Sequence, residues 1–423
     1  MTAYLVVAAM LSISTLRAET LTMTTVTAPH DILAACQPLR PSLGGHLDPA
    51  AVRQRLGATH CAGRYNFTEE PYVVEGARAI AERLGYRHLK LWFYECDRVY
   101  SQNHTWTPET TLVDLAKNPA FVKAFAFPFD TITLEVRFSP AGERHPRPPG
   151  HTVAPDLDLV HEEQELYDLA CHLLTTYRDR KVTFILQNWE GDWMFRDFCG
   201  APWNQGKVPA DVPQRVETMV AWFAARQRAV DRARQDHPGS RCQVLHAIEV
   251  NRVFDLLINV PTVTSRILPR VEVDLISWSC YDGMQIDAHG TGDGAAIGIW
   301  QGMDLIRAHA RTRLKDRQGR PAVMLGEFGI AEQKQLIGKR SAADILEGTV
   351  AAAIAQDAYL LLYWEVYCNE PNDPRKKDAH LTRNLEADEL NGFWLIRPDG
   401  SLSGAATWFA QVMPQPQVHS ARH

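Results

Sequence analysis

From about residue 58 the chain alternates short apolar runs with longer amphipathic stretches, joined by polar loops. The apolar runs 58–62, 88–93, 131–138, 182–188, 243–250, 273–280, 322–327 and 359–364 have strand length. Several are almost continuously hydrophobic, as parallel strands covered by helices on one face and a packed lumen on the other must be. Helical periodicity marks 73–84, 112–125, 161–180, 212–234, 296–313 and 342–356, more weakly 263–271, and finally 404–412 after the turn-forming pair Asp399–Gly400. Eight strand–helix units predict an α/β fold of the (β/α)8, or TIM-barrel, type. A doubly wound sheet is the competitor, but no GxGxxG follows any of the strands.

This reading divides the chain into a catalytic domain over 58–415, an N-terminal extension or barrel cap over 19–57, and a possible signal peptide over 1–18. A length of 423 residues accommodates one barrel with long loops. A net charge of −6 argues against nucleic acid or an anionic membrane surface as partner. The apolar run from Ala3 to Ile13 is too short to cross a bilayer but has the length of a signal core, with the small residue Ala18 behind it. No Lys or Arg precedes that run, so the balance favours a periplasmic or extracellular location only slightly over a cytoplasmic one. The eight cysteines contain no CxxC pair, which excludes a zinc ribbon. Cys171, Cys242 and Cys280 read as buried thiols, and Cys96, Cys199 and Cys368 as loop cysteines open to disulfide formation after export.

Two strands end in a glutamate flanked by glycine and aromatic residues: Leu186–Gln–Asn–Trp–Glu190–Gly and Met324–Leu–Gly–Glu327–Phe–Gly329. A carboxylate at the tip of a buried strand is costly to desolvate, so two in matched settings point to chemistry. In a barrel they fall at the C-terminal ends of strands four and seven, on the functional face. Paired carboxylates beside aromatic rings suit hydrolysis of a glycosidic bond.

On these motifs the chain resembles the cellulase-like clan A of the glycoside hydrolases, nearest family 5, as a divergent member. Gly326–Glu327–Phe328–Gly329 resembles the strand-seven motif that carries the nucleophile. Glu190 stands where the clan keeps its acid/base, and Leu361–Leu–Tyr–Trp364 is similar to strand eight, whose Trp floors a sugar subsite. Asn391–Gly–Phe–Trp–Leu–Ile–Arg–Pro–Asp–Gly400 is similar to the segment that closes many such barrels. Tyr281 matches a tyrosine that donates to the nucleophile. The resemblance implies a retaining hydrolase of a β-linked oligo- or polysaccharide, with carbohydrate as partner and no cofactor.

Four departures stand out. Trp189 separates Asn188 from Glu190, so a bulge is expected if both are to face the site. Lys90 replaces an Arg of strand two, and Arg137 and Ser279 stand where histidines are usual. Lys90 or Arg137 is expected to keep Glu327 ionised. Glu249, at the end of strand five, is a rival acid/base, with an outer subsite or an ion pair with Arg252 as its other expected place. Glu365 and Asp192 are further candidate sugar ligands. Trp92, Trp189 and Trp364 are the expected stacking platforms; Trp106, Trp193, Trp203 and Trp278 also lie at or beyond strand ends. His60, His88 and His246 form no HxH or HExxH pattern and read as structural, so no metal is expected. Two alternatives share the pattern: a transglycosidase using the same covalent intermediate, and a catalytically silent barrel that binds sugar.

Overall fold

The structure is a computed structural model and describes residues 4–6, 24–26, 47–62, 65–100, 106, 111–136, 157–196, 203, 208–285, 294–333, 342–373, 375 and 384–413. Eight parallel strands close one barrel in chain order: β1 (Leu56–His60), β2 (His88–Trp92), β3 (Thr131–Glu135), β4 (Thr183–Gln187), β5 (Gln243–Val250), β6 (Leu275–Ser279), β7 (Val323–Phe328) and β8 (Leu361–Tyr363). β8 returns to pair with β1 through Leu361↔Leu56 and Tyr363↔Ala58. Every expected strand is present, most of them shorter by one to three residues at an end. The barrel begins at Leu56, led in by the helix Pro49–Arg55, whose N-cap Asp48 accepts a hydrogen bond from the Ala50 amide.

The helices differ from expectation where proline intervenes. The stretch 112–125 is two helices, Leu112–Lys117 and Pro119–Phe125, because Pro119 has no N–H to continue the first. Asn118 ends one and caps the other, accepting from the Ala120 amide at 2.9 Å. The weak stretch 263–271 becomes a single turn, Val263–Arg266, and a 3₁₀ turn, Leu268–Arg270, containing Pro269. The strong predictions persist as the helices Leu159–Thr176, Val212–Asp236, Gly294–His309, Ala342–Ala355 and Gly404–Val412. No helix among the described residues is long and apolar enough to cross a membrane. The signal-like run lies outside the described residues except for Tyr4–Val6, which pairs antiparallel with Thr24–Val26. Cys96 and Cys368 are buried free thiols, as are Cys242 and Cys280, and Cys171 is a half-buried one; Cys36 and Cys199 lie outside the described residues.

One apolar layer fills the space between strands and helices. A second fills the lower lumen, where Ile185, Leu245, Ala247, Leu275, Met324 and Leu362 meet. Strand side chains alternate between these two faces. On β5 that alternation carries Leu245 and Ala247 into the apolar lumen and then Glu249 one layer higher, with Lys90, Glu135, Gln187 and Ser277 around it. The lumen is therefore apolar at its floor and ionic beneath its C-terminal mouth.

Candidate active site

At that mouth is a cleft of about 510 Å³, lined in part by Trp92, Trp189, Glu190, Trp193, Tyr281, Glu327 and Trp364. Glu327 owes its direction to an irregularity in β7. Pairing with both neighbours shifts register just after Leu325, and the extra residue turns Glu327 inward while Phe328 packs outward on Tyr363 and Phe409. Gly326 makes the turn possible. A Cβ there would come within 1.8 Å of Ser277 Oγ and 2.7 Å of Glu249 Oε1, and one at Gly329 would strike the Trp364 carbonyl at 2.1 Å. Gly326→Ala is expected to cost about 1–3 kcal/mol by overpacking, read by denaturant unfolding. Adding Ser277→Ala, which removes the nearest obstruction, should recover part of it; unchanged stability in the single variant would show that the contact is easily relieved.

Beneath the cleft, Lys90 is the centre of the charge arrangement. Its Nζ lies 2.7 Å from Glu327 Oε1, 2.9 Å from Glu135 Oε2 and 3.1 Å from Glu249 Oε1, all four side chains being almost or wholly sealed from solvent. Ligand atoms of the three carboxylates lie within 4.8 Å of one another, close enough to hold a cation, and the cation among them is the Lys90 ammonium. Burial alone would lower the Lys90 pKa, but Glu135, Glu249 and Glu327 hold it well above its ordinary value. Burial, and then the charges of Glu249 and Glu327, push Glu135 well above the carboxylate range despite Lys90. Burial also raises Glu327 to about 7, with Lys90 pulling down and Glu249 pushing up.

Glu190 stands apart from this cluster. Its side chain keeps some surface open to the cleft but sits deep enough that burial is the main cause of a strongly raised pKa, followed by the charges of Glu327 and Glu249. Among the described residues no hydrogen bond or ion pair reaches its carboxylate. Its backbone amide donates to Glu249 Oε2 at 3.0 Å.

Other expected site residues fall in different places. Trp92, Trp189 and Trp364 line the cleft; Trp92 stacks on Tyr94 at 5.2 Å between ring centres and lies 6.0 Å from Trp364. The peptide bond between Trp364 and Glu365 is cis. Asn188 does not reach the cleft, and the bulge expected there is absent. Its amide clips β5 instead, accepting from the Glu249 amide at 2.8 Å and donating to the Glu249 carbonyl at 3.1 Å. Glu249 is not at an outer subsite, and Arg252 pairs with Asp255 rather than with it. Glu365 is buried behind the wall and accepts from the Asn369 amide and the Cys61 thiol. Asp192, in the first turn of the helix Gly191–Arg196, is buried and receives the amides of Asn251, Arg252 and Val263. Tyr281 lines the cleft, but its hydroxyl has no hydrogen-bond partner among the described residues, so the expected donation to Glu327 is not made. Trp106, Trp203 and Trp278 are buried core rings, whereas Trp193 lies in the cleft wall under Arg252. His60 and His88 contact the Tyr72 and Gln54 carbonyls, and His246 lies against Gln227 and Arg226. Arg137 lies outside the described residues.

Three members of the buried cluster beneath the cleft went unread in the sequence, Glu135, Gln187 and Ser277, as did Asp282 and Glu370 in the cleft lining. The missed signal is Lys90 itself. A lysine in the apolar run His88–Trp92 needs buried counter-charges, and an acid in the apolar run Thr131–Glu135 is an obvious supplier.

No protein-family model matches the chain, and no curated protein matches it in sequence. Among solved structures it is similar to an exo-β-1,4-mannosidase, Op5Man5, from Opitutaceae bacterium strain TAV5, at 14% identity and a TM-score of 0.51. That match covers 85% of this chain and 59% of the other. A β-galactosidase from the psychrophilic Marinomonas ef1 matches at 12% identity and a TM-score of 0.50, again over 85% of this chain and 59% of that one. The chain thus spans well under two thirds of the length of either enzyme. What it has in common with both, at this identity, is the barrel fold alone.

Proposed function

We propose that the chain is a retaining glycoside hydrolase of β-linked oligo- or polysaccharides, with Glu327 as nucleophile and Glu190 as acid/base. One observation carries the assignment of roles. Of the four carboxylates that line the cleft, Glu190, Asp282, Glu327 and Glu370, Lys90 touches only Glu327, at 2.7 Å, so Glu190 and Glu327 are electrically unequal. The carboxylate held against a cation is the one suited to attack, and the one raised by burial, with no cation in contact among the described residues, is the one suited to give a proton. In the first step Glu327 forms a bond to the anomeric carbon while the departing oxygen takes the Glu190 proton. Esterification removes the negative charge of Glu327, which had been raising Glu190; Glu190 is then the stronger acid, and its carboxylate accepts a proton from the incoming water as the water oxygen bonds to the anomeric carbon and the ester bond to Glu327 breaks, returning the Glu327 carboxylate. Trp92, Trp189 and Trp364 supply ring faces on which a pyranose can stack.

The first-formed anomer, followed by proton NMR during cleavage of an aryl β-glycoside, should be β; an α product at first appearance overturns the double displacement. A bell-shaped kcat/KM is expected with its acidic limb near 7, where Glu327 ionises, and its alkaline limb set by Glu190. A profile falling from pH 5 to 7 would reverse the roles.

A further inference from the structure

We propose that Glu249 is a positioning residue that ties the nucleophile and the acid/base into one unit, fixing where Glu190 stands relative to Glu327 and adjusting the charge that both experience. The proposal rests on the glycosidase reading above. Four donors on three other strands and one loop converge on this one carboxylate, which is fully buried and does not line the cleft. Oε1 receives Gln187 Nε2 of β4 at 2.8 Å, Ser277 Oγ of β6 at 3.0 Å and Lys90 Nζ of β2 at 3.1 Å. Oε2 receives the Glu190 amide at 3.0 Å. Through Lys90 it reaches Glu327 of β7, and through the amide it holds the backbone that carries Glu190. The two Asn188 bonds to the Glu249 backbone secure the same junction from the main chain. Gly191, next to Glu190, lies so close that a Cβ there would sit 2.6 Å from the Glu249 carbonyl.

A single buried side chain therefore touches the supports of both reacting groups. The charged or titrating groups facing it are Lys90, Glu135, Glu190 and Glu327; Gln187 and Ser277 face it as neutral donors. Its negative charge also contributes to raising Glu190 and Glu327 alike.

Glu249→Gln keeps the size, removes the charge and sets an amide against the Glu190 N–H. It is expected to lower kcat by about 10²-fold through misplacement of Glu190 and to move both limbs of the pH profile to lower pH. Glu249→Asp keeps the charge but withdraws it by one methylene, so kcat should fall while both limbs stay in place. Catalytically merely structural damage would reduce yield or midpoint and leave the profile of the active enzyme superimposed on wild type; that result overturns the proposal. Should neither variant fold, Gln187→Met and Ser277→Ala each remove one donor to Oε1 beneath the cleft. Each is expected to lower kcat with KM unchanged, and wild-type kcat in both overturns the proposal. Wild-type turnover on a panel of aryl β-glycosides is the reference: a silent wild type overturns the glycosidase reading itself, whereas an active wild type with an unmoved Glu249→Gln profile overturns only the role of Glu249.

Discussion

Glu327→Gln is expected to abolish turnover, by more than about 10³-fold in kcat, while the barrel folds and the cleft still binds sugar. The amide is isosteric but cannot form the glycosyl ester. Glu190→Gln should behave differently, and the contrast is the informative part. A substrate whose leaving group is an acidic phenol needs no proton, so its first bond should still break and the glycosyl-enzyme should accumulate. Added azide, which needs no general base, should then restore turnover and yield a β-glycosyl azide. Residual hydrolysis in Glu327→Gln equal to wild type would remove the assignment. The same substitution has a stability signature of predictable sign. The folded-state value of Glu327 lies near 7, above the ordinary 4.5, so its favourable contribution is complete below about pH 4.5 and is lost as pH rises through 7. Glu327→Gln should therefore gain midpoint relative to wild type between pH 5 and pH 8 in thermal unfolding. A difference independent of pH would mean that Glu327 is not buried against other carboxylates.

The barrel was legible because its signal is long-range and redundant. Near-continuous apolar runs, separated by amphipathic helices, leave few other ways to bury both faces of a sheet. Bounds at strand ends were less legible, and the ends are where the site lies. Reading β3 on to residue 138 placed Arg137 in view and left Glu135 hidden inside an apolar run, although the strand ends at Glu135. Asn188 was read by its neighbours in sequence, yet one step beyond β4 the chain turns, and its amide finds the β5 backbone instead. Trp106, Trp203 and Trp278 show the same limit: position at or beyond a strand end does not tell a wall of the cleft from the packing behind it. The inward turn of Glu327 depends on a register shift at Gly326 that no periodicity announces, although the glycine itself marks the place.

Lys90→Met should produce the largest loss of stability of any single change at the site. Methionine fits the length of the side chain but leaves Glu135, Glu249 and Glu327 around an apolar group, with their mutual repulsion unopposed. Removing one member of a buried ionic cluster costs about 3–5 kcal/mol, and here the member removed is, among the described residues, the only cation in contact with the three acids. The penalty must depend on pH in a definite direction. Lys90 opposes the upward push on Glu327 and on Glu135, so without it both bind protons more tightly. Protonation relieves the repulsion, hence the variant should lie nearest to wild type near pH 5 and fall furthest below it at pH 8 in denaturant unfolding. Its residual activity should have an acidic limb above 7, because Glu327 then ionises later. Adding Glu135→Gln removes one of the stranded charges without touching the cleft and should return part of the stability at pH 8. If Lys90→Met were as stable as wild type at pH 8, the carboxylates would have to be protonated already, and Lys90 would not be what keeps Glu327 ionised.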